Sequence, residues 1–276
     1  MIKRILVPTD GSDYAMRGVE YAVMLAERYD AAISGLYVVD VKLLEGPFLR
    51  DLSASLGTAP YVNYQGNINL ILEERGKAAL GVVSELCKTH GVEVETNMVS
   101  GVVHQCIVEQ GELCDLIVMG RGGEHSEWLD GLLGSSTEAV ARRSSVPVLI
   151  TESTKPSDGP ILVAYDGSSL AKKALRTGAD LAQDWNRNLQ LLVVGSEKMA
   201  GVLEEAKDYL ADHAISAECV RADGDAAEQI VAYAGTQNCS FLVMGAYGHS
   251  KMRELLLSST TAFVLNHTPC PVLLVR

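Results

Sequence analysis

The sequence lacks the long apolar run that a membrane-spanning helix needs. No stretch approaches the roughly 18–20 apolar residues that cross a bilayer. Residues 1–8 lead directly into a buried-strand pattern, without the apolar core and small-residue cleavage site of a signal peptide. These absences favour a protein of the cytoplasm that has no membrane partner.

Paired cysteines are also missing. The six cysteines are scattered along the chain, and none belongs to a C-x-x-C pair. In a chain of 276 residues this distribution is typical of small buried side chains in a reducing compartment. A metal site would need clustered ligands, and because the sequence shows no such cluster, no metal-ligating residue is predicted.

Positive charge is scarce. The net charge is −12, and acidic residues are spread along the whole chain. A nucleic-acid partner is therefore not expected, because it would require a basic stripe that neutralises phosphates. A nucleotide ligand stays open, because backbone N–H groups at a helix N-terminus hold a phosphate without lysine.

The chain repeats itself. Three segments of the first half return in the same order in the second half: residues 5–12 as 161–168, 116–120 as 241–245, and 146–150 as 270–274. Similarity at both ends and in the middle indicates an internal duplication. We therefore expect a first domain at residues 1–152, a polar linker at 153–159 and a second domain at 160–276.

Each repeat alternates apolar runs with segments of helical periodicity. Short continuous apolar runs are typical of parallel strands that are buried on both faces. In the first repeat they predict strands at residues 5–8, 33–39, 94–99, 116–119 and 148–150. The alternation implies right-handed crossovers. The sequence thus predicts an α/β fold of two tandem, doubly wound, five-stranded parallel-sheet domains that are Rossmann-like.

The repeats differ after their second strand. The first inserts residues 41–67, a stretch with three glycines and two prolines, whereas the second passes from Gly195 almost directly into its helix. A loop of this length in a compact domain is usually either functional or disordered. A lid, a contact between subunits and a surface excursion without function all remain open.

Glycines and hydroxyl residues follow the fourth strand, at the edge where ligands of open parallel sheets bind. In the first repeat Gly120 and Gly123 come first, and Gly134 then precedes Ser135 and Ser136 at the start of the last helix. Glycine lets the backbone approach phosphate oxygens, and a helix N-terminus favours an anion. The pattern predicts a phosphate site.

An aspartate follows the first strand of each repeat, Asp10 in the first and Asp166 in the second. Such a carboxylate could accept a ribose hydroxyl or reach a phosphate-bound metal ion. Alternatively, Asp10 or Ser12 only caps the helix that follows, and for Asp10 taken alone the capping interpretation is favoured.

Together these segments resemble the universal stress protein family (UspA-like) in its tandem-domain type, over essentially the whole chain. ATP-binding members of that family carry G-x2-G-x9-G-[S/T] after the fourth strand. The first repeat keeps three glycines but has one extra residue, Glu124, in the final gap. The second keeps the spacing, but Ser258 replaces the last glycine. An inserted surface residue is easily tolerated, whereas a Cβ can clash where backbone meets phosphate, so the first site is favoured.

The resemblance implies an adenine nucleotide alpha hydrolase-like fold, a pseudo-dimer in which the final strands of the two domains lie together, and adenine nucleotide contacts in both repeats. In the first repeat the implied residues are Pro8, Thr9, Asp10, Val38, Met119, Gly120, Gly123, Gly134, Ser135 and Ser136. In the second they are Asp166, Val194 (or Val193 if the alignment slips by one residue), Met244, Gly245, Gly248, Ser258, Ser259 and Thr260. Arg121 has no counterpart, and an exposed charge is favoured over a phosphate contact.

No catalytic residue is predicted. His125 and Ser126 recur as His249 and Ser250, but adjacent residues rarely aim both side chains at one atom. No G-x-x-x-x-G-K-[ST] motif and no lysine beside the glycines is present.

We therefore expect an ATP-binding stress-response or signalling protein, with or without Mg²⁺, in which the nucleotide tunes conformation or the binding of an unidentified protein partner. The alternative is a nucleotide-free interaction module with degenerate sites. Slow ATP hydrolysis or self-phosphorylation stays open, and a homodimer of chains is a further expectation.

Overall fold

The computed structural model describes residues 2–41, 61–123, 133–151, 157–246 and 258–276, with only the backbone of residues 61–67. The chain divides into two compact units, residues 1–119 and 120–276. The glycines that follow the fourth strand therefore belong to the second unit. The boundaries predicted for the two repeats, at 152 and 160, remain predictions.

The described residues of the first unit contain four parallel strands in the order β3-β2-β1-β4. They are β1 (Arg4–Pro8), β2 (Ala32–Asp40), β3 (Val94–Gly101) and β4 (Leu116–Gly120), the last ending at the boundary between the units. The helices are α1 (Asp13–Tyr29), α2 (Tyr61–Thr89) and α3 (Val103–Gly111). Ile5, Leu6 and Val7 are all buried, which explains why β1 shows no alternation of apolar and polar residues.

In the part of the second unit that the structure describes, six strands follow one another in the order β5-β10-β9-β6-β7-β8. They are β5 (Val148–Thr151), β6 (Ile161–Ala164), β7 (Leu189–Val194), β8 (Ala217–Ala222), β9 (Phe241–Gly245) and β10 (Val272–Val275). The helices are α4 (Ser135–Arg143), α5 (Ser169–Asp184), α6 (Ala200–Asp212), α7 (Ala226–Thr236) and α8 (Ser259–His267). From β6 to β10 the strands are parallel, and their order is that of a doubly wound sheet.

The last strand of the first repeat pairs with the last strand of the second. β5 and β10 are antiparallel, with Leu149 opposite Leu273 and Ile150 opposite Val272. All four side chains are buried. The pairing covers two apolar edges that would otherwise expose unpaired backbone groups. The predicted fold class, tandem Rossmann-like domains with their final strands together, is confirmed.

The five strands predicted for the first repeat are confirmed to within two residues at each end. The inserted region, residues 41–67, differs from the predicted loop at its C-terminal end, because residues 61–67 have helical backbone and continue into α2. A helix gains one hydrogen bond for each residue added, so a long helix extends readily into a sequence without apolar periodicity. Residues 42–60 of the insertion lie outside the described residues.

Candidate functional site

A cavity of about 180 Å³ lies at the carboxyl ends of the strands in the second repeat. Fourteen described residues line it: Ala164, Tyr165, Asp166, Ser168, Ala171, Leu192, Val194, Ala226, Ile230, Met244, Gly245, Ser258, Thr260 and Thr261. This edge of an open parallel sheet is where ligands bind. Most of the lining is apolar and a few polar groups converge on it, as is typical of small-molecule sites.

Three helices begin at the cavity, and each carries a capping side chain. Ser168 caps α5, Asp225 caps α7 and Ser258 caps α8. Their oxygens accept backbone N–H groups of the first turn at 2.9 to 3.2 Å. The positive ends of three helix dipoles therefore meet at one edge of the sheet. Such an edge favours an anion without any cationic side chain.

Asp166 is exposed at this cavity. One of its carboxylate oxygens accepts the backbone N–H of Ser168 at 3.0 Å, which fixes the turn before α5. In the first repeat Asp10 accepts both the N–H and the hydroxyl of Ser12, at 2.9 and 2.6 Å. The geometry favours the capping interpretation, with serine as the cap and aspartate as its support. A carboxylate has about four lone-pair sites, so Asp166 can still accept a ligand hydroxyl.

Tyr165 is the largest side chain of the lining that sequence reasoning missed. It is only 4% exposed. Burial raises the pKa of its hydroxyl, and the nearby Glu205 carboxylate raises that pKa further. The sequence signal was present, since tyrosine stands where the first repeat has Thr9. By contrast, Ala226 and Ile230 on α7 gave no sequence signal, because they read as ordinary helix residues.

Gly245 lines the cavity at the end of β9, but its missing side chain also serves packing. A Cβ at Gly245 would lie 2.8 Å from the Cβ of Leu170 and 3.1 Å from the backbone nitrogen of Ala171. Glycine thus permits the close approach of α5 to β9. Four other predicted residues of this repeat also line the cavity: Val194, Met244, Ser258 and Thr260. Ser259 is exposed and is not part of the lining, and Gly248 lies outside the described residues.

In the first unit, the predicted residues Pro8, Thr9, Asp10, Val38 and Met119 lie at or just beyond the carboxyl ends of the adjacent strands β1, β2 and β4. The backbone N–H of Thr9 donates to the carbonyl of Leu36 at 2.9 Å. Thr9 is buried, and its hydroxyl accepts the N–H of Gly11 at 3.1 Å. Thr9 therefore shapes the turn.

The remaining predicted residues of the first repeat belong to the second unit, in two stretches that we call the glycine turns, residues 120–123 and 133–136. The N–H of Gly134 donates to the carbonyl of Arg121 at 2.9 Å. The hydroxyl of Thr137 donates to the carbonyl of Gly120 at 3.1 Å. Gly120 and Gly134 are thereby brought together, whereas Glu124 lies outside the described residues.

Arg121 is not the exposed charge that the sequence favoured. Its guanidinium is partly buried and donates to the carbonyls of Asn266 and Thr268, at 3.3 and 2.6 Å. These carbonyls lie at the end of α8, where helical carbonyls have no partner within the helix and carry partial negative charge. The sequence could not show this, because the two stretches are about 145 residues apart.

Other sequence-based expectations meet the structure only in part. Trp185 packs edge-on against Phe241, with ring centroids 5.6 Å apart. The His-Ser pairs at 125–126 and 249–250 lie outside the described residues. Among described residues no cluster of three metal-ligating side chains is found. Nor is any helix of the described chain long and apolar enough to cross a membrane.

The burial predicted for the cysteines is confirmed for four of the six. None of the six, all of which are described, forms a disulfide. Four are buried, while Cys106 and Cys219 are partly exposed. Their environment raises the pKa of the buried thiols Cys87, Cys114 and Cys239, with burial as the main cause. A raised pKa keeps these thiols protonated and unreactive, as expected of structural side chains.

Comparison with known proteins agrees with the fold and the repeat. The sequence profile of the universal stress protein family matches residues 1–152 and 190–276. A universal stress protein of Synechocystis sp. is 30% identical over 289 aligned positions, covering all of both chains. One from Methanocaldococcus jannaschii is 35% identical over 158 positions, 56% of this chain and 85% of that protein. A universal stress protein structure from Archaeoglobus fulgidus has a TM-score of 0.80 at 22% identity, covering 99% of this chain and 98% of that one. With two matched segments, this chain belongs to the universal stress protein family as a tandem-domain member.

Proposed function

We propose that this protein binds an adenine nucleotide, ATP in the first instance, in the cavity of its second repeat and at the glycine turns of its first repeat. The bound nucleotide acts as a ligand that tunes the conformation of the protein or its binding to a protein partner. The observation that carries the proposal is the apolar cavity at which three helix N-termini converge.

The start of α8 suits the phosphates. The Ser258 hydroxyl accepts the N–H of Thr261, which leaves the N–H groups of Ser259 and Thr260 without a partner inside the helix. Two such groups at the positive end of a helix dipole bind anionic oxygens. The hydroxyl of Thr260, which lines the cavity, adds a further donor.

The opposite side of the cavity suits the base and the sugar. Leu192, Val194 and Ile230 form an apolar surface against which a flat adenine ring can pack. Asp166 is exposed beside the cavity and can accept a ribose hydroxyl. Base, sugar and phosphates would each have a contact in the cavity. Adenosine, which lacks the phosphates, should therefore bind more weakly than ATP.

A ligand role is favoured over turnover. Tyr165 has a raised pKa and stays protonated at neutral pH, so it can donate a hydrogen bond but cannot act as a base. The Asp166 carboxylate is engaged by a backbone N–H. We therefore expect ATP turnover far below the common enzyme range of about 1 s⁻¹ and above. Steady-state turnover inside that range would overturn the ligand role.

The test measures nucleotide binding by the full chain. Isothermal titration with ATP should give two sites, and bound ATP should raise the melting temperature by mass action. Ala226→Leu adds three carbon atoms to the side chain in the cavity lining and should reduce the stoichiometry from two to one. Ala232→Leu, at an exposed position of the same helix, is the matched control and should keep both sites.

Two outcomes would contradict the proposal. If the purified chain neither releases a nucleotide on denaturation nor binds added ATP, the nucleotide-free interaction module becomes the better description. If Ala226→Leu and Ala232→Leu both keep two sites, the second nucleotide binds outside the cavity.

A further inference from the structure

The end of α8 holds both glycine turns of the first repeat. The side-chain oxygen of Asn266 accepts the backbone N–H of Leu133 at 2.6 Å, directly before Gly134. The carbonyl oxygens of Asn266 and Thr268 accept the two terminal nitrogens of the Arg121 guanidinium. One turn of the second repeat thus contacts both the residue after Gly120 and the residue before Gly134.

These contacts form a closed ring of hydrogen bonds. Arg121 is bonded to Gly134 through the backbone, Leu133 to Asn266, and Asn266 to Arg121. The Asn266 amide is itself oriented, because its nitrogen donates to the carbonyl of Ala262 at 2.7 Å and so directs its oxygen towards Leu133. Hydrogen bonds to a charged guanidinium are the stronger members of such a ring.

The ring has no sequence counterpart in the other repeat. Ala246 stands in place of Arg121, and Arg142 stands in place of Asn266. The arrangement is therefore specific to the first repeat, where Gly134 gives α4 no capping side chain. Without a cap of its own, the start of α4 depends on outside contacts for its position.

We propose that Asn266 and Arg121 are positioning residues, which hold the glycine turns so that the N–H groups at the start of α4 face a nucleotide phosphate. Nucleotide binding by the first repeat then depends on the second repeat. This inference rests on the proposed function and extends it, because it assigns control of the first site to residues that do not contact the nucleotide.

The test uses the full chain and titrates ATP while following hydrogen exchange separately in peptides covering residues 133–140 and 258–265. The first peptide reports the glycine turns, and the second reports the cavity. Asn266→Ala should raise the ATP concentration for half-maximal protection of residues 133–140 by about fivefold to tenfold, the loss expected for one ordinary backbone hydrogen bond. The curve for residues 258–265 should move by less than about twofold.

Two further variants separate positioning from general damage. Asn266→Asp keeps an acceptor oxygen for the N–H of Leu133 but loses the donor to the carbonyl of Ala262, so the affinity at residues 133–140 should lie between those of the wild type and Asn266→Ala. His267→Ala changes the neighbouring exposed residue, whose ring bonds the carbonyl of Phe263 on its own helix, and should leave both curves unchanged.

Equal curves at residues 133–140 for the wild type and Asn266→Ala would overturn the inference and leave the proposed function intact. The same holds if Asn266→Asp is as weak as Asn266→Ala, or if both peptides weaken together. A chain that binds no ATP at all would overturn the proposed function, and the inference with it.

Discussion

The two repeats begin their last helix in different ways. In the first, Gly134 precedes α4 and offers no side-chain cap. In the second, Ser258 precedes α8, and its hydroxyl bonds both the N–H and the hydroxyl of Thr261, at 3.0 and 2.8 Å. The first helix therefore keeps three first-turn N–H groups for a ligand, and the second keeps two. One motif position can thus provide an open phosphate cradle or a helix that caps itself.

The two repeats also differ in the residue that follows their first strand, which is Thr9 in the first repeat and Tyr165 in the second. Thr9 is small and uses its hydroxyl to fix the turn at Gly11, whereas the larger, buried Tyr165 belongs to the lining of the cavity in the second repeat. The first repeat relies on backbone groups and outside contacts, while the second fills and caps itself with its own side chains. The second repeat should consequently be the more self-sufficient site, and the first the stronger anion site when it is held in place.

The largest expected effect comes from giving the second repeat the residue of the first. Tyr165→Thr removes a ring that is 4% exposed, and it should lower the free energy of unfolding by about 2–4 kcal/mol through lost packing. Urea unfolding followed by circular dichroism measures the change. Tyr165→Phe keeps the ring and is the control, with an expected change below about 1 kcal/mol. A Tyr165→Thr protein as stable as the wild type would show that the ring does not support the second repeat.

A smaller effect follows from exchanging the helix caps. Ser258→Gly frees one N–H of α8 and should tighten ATP at the second repeat by about threefold, while glycine in place of a serine cap costs only a few tenths of a kcal/mol in stability. Gly134→Ser should weaken ATP at the first repeat by a similar factor. Local hydrogen exchange in the two peptides named above measures both. If Ser258→Gly and Gly134→Ser shift the ATP affinity in the same direction, the capping explanation fails.

The smallest expected effect is on the pH dependence of stability, and it concerns one buried thiol in each repeat. Burial raises the pKa of Cys87 to about 11 and that of Cys239 to about 12, the latter with a contribution from neighbouring Cys270. Since folding favours the protonated thiol, the stability that each contributes is complete below pH 9. It is lost as the pH rises towards about 11 for Cys87 and about 12 for Cys239.

Chemical denaturation between pH 7 and pH 10.5 tests this linkage. Cys87→Ala and Cys239→Ala should each make the alkaline decline of stability shallower than in the wild type. Cys106→Ala, at a partly exposed thiol of the first repeat, is the control and should change the slope less. Parallel declines in all four proteins would assign the alkaline loss to other groups.

Much of the fold could be predicted because its signals are local. Continuous apolar runs such as Ile5, Leu6 and Val7 give buried parallel strands, and the repeat fixes the order of elements twice over. The pairing of β5 with β10 was also expected, through the family resemblance. The prediction that the inserted loop runs to residue 67 was wrong, because helix α2 already begins at Tyr61. The first turns of this helix show no clear apolar periodicity, so the sequence did not indicate them.

The candidate site could be predicted only where its residues belong to a motif. Asp166 and Met244 belong to the repeated segments and Ser258 to the family motif, and all three line the cavity. Arg121 and Asn266 could not be paired from sequence, because their contact joins distant parts of the chain and has no counterpart in the other repeat. Side chains that complete a site from another element leave no spacing pattern, so only the folded structure assigns them.

The antiparallel pairing of β5 with β10 has a consequence for cutting the chain. A break within residues 153–159, the linker predicted from the sequence, would produce two fragments, each ending in a buried apolar strand whose partner is the other fragment. Such fragments should find each other in solution, because each offers the other a matching set of backbone donors and acceptors. In the intact chain the covalent connection is then expected to act mainly by raising the local concentration of one half around the other. The protein could in this way serve as a split reporter, reassembling from two separately expressed halves.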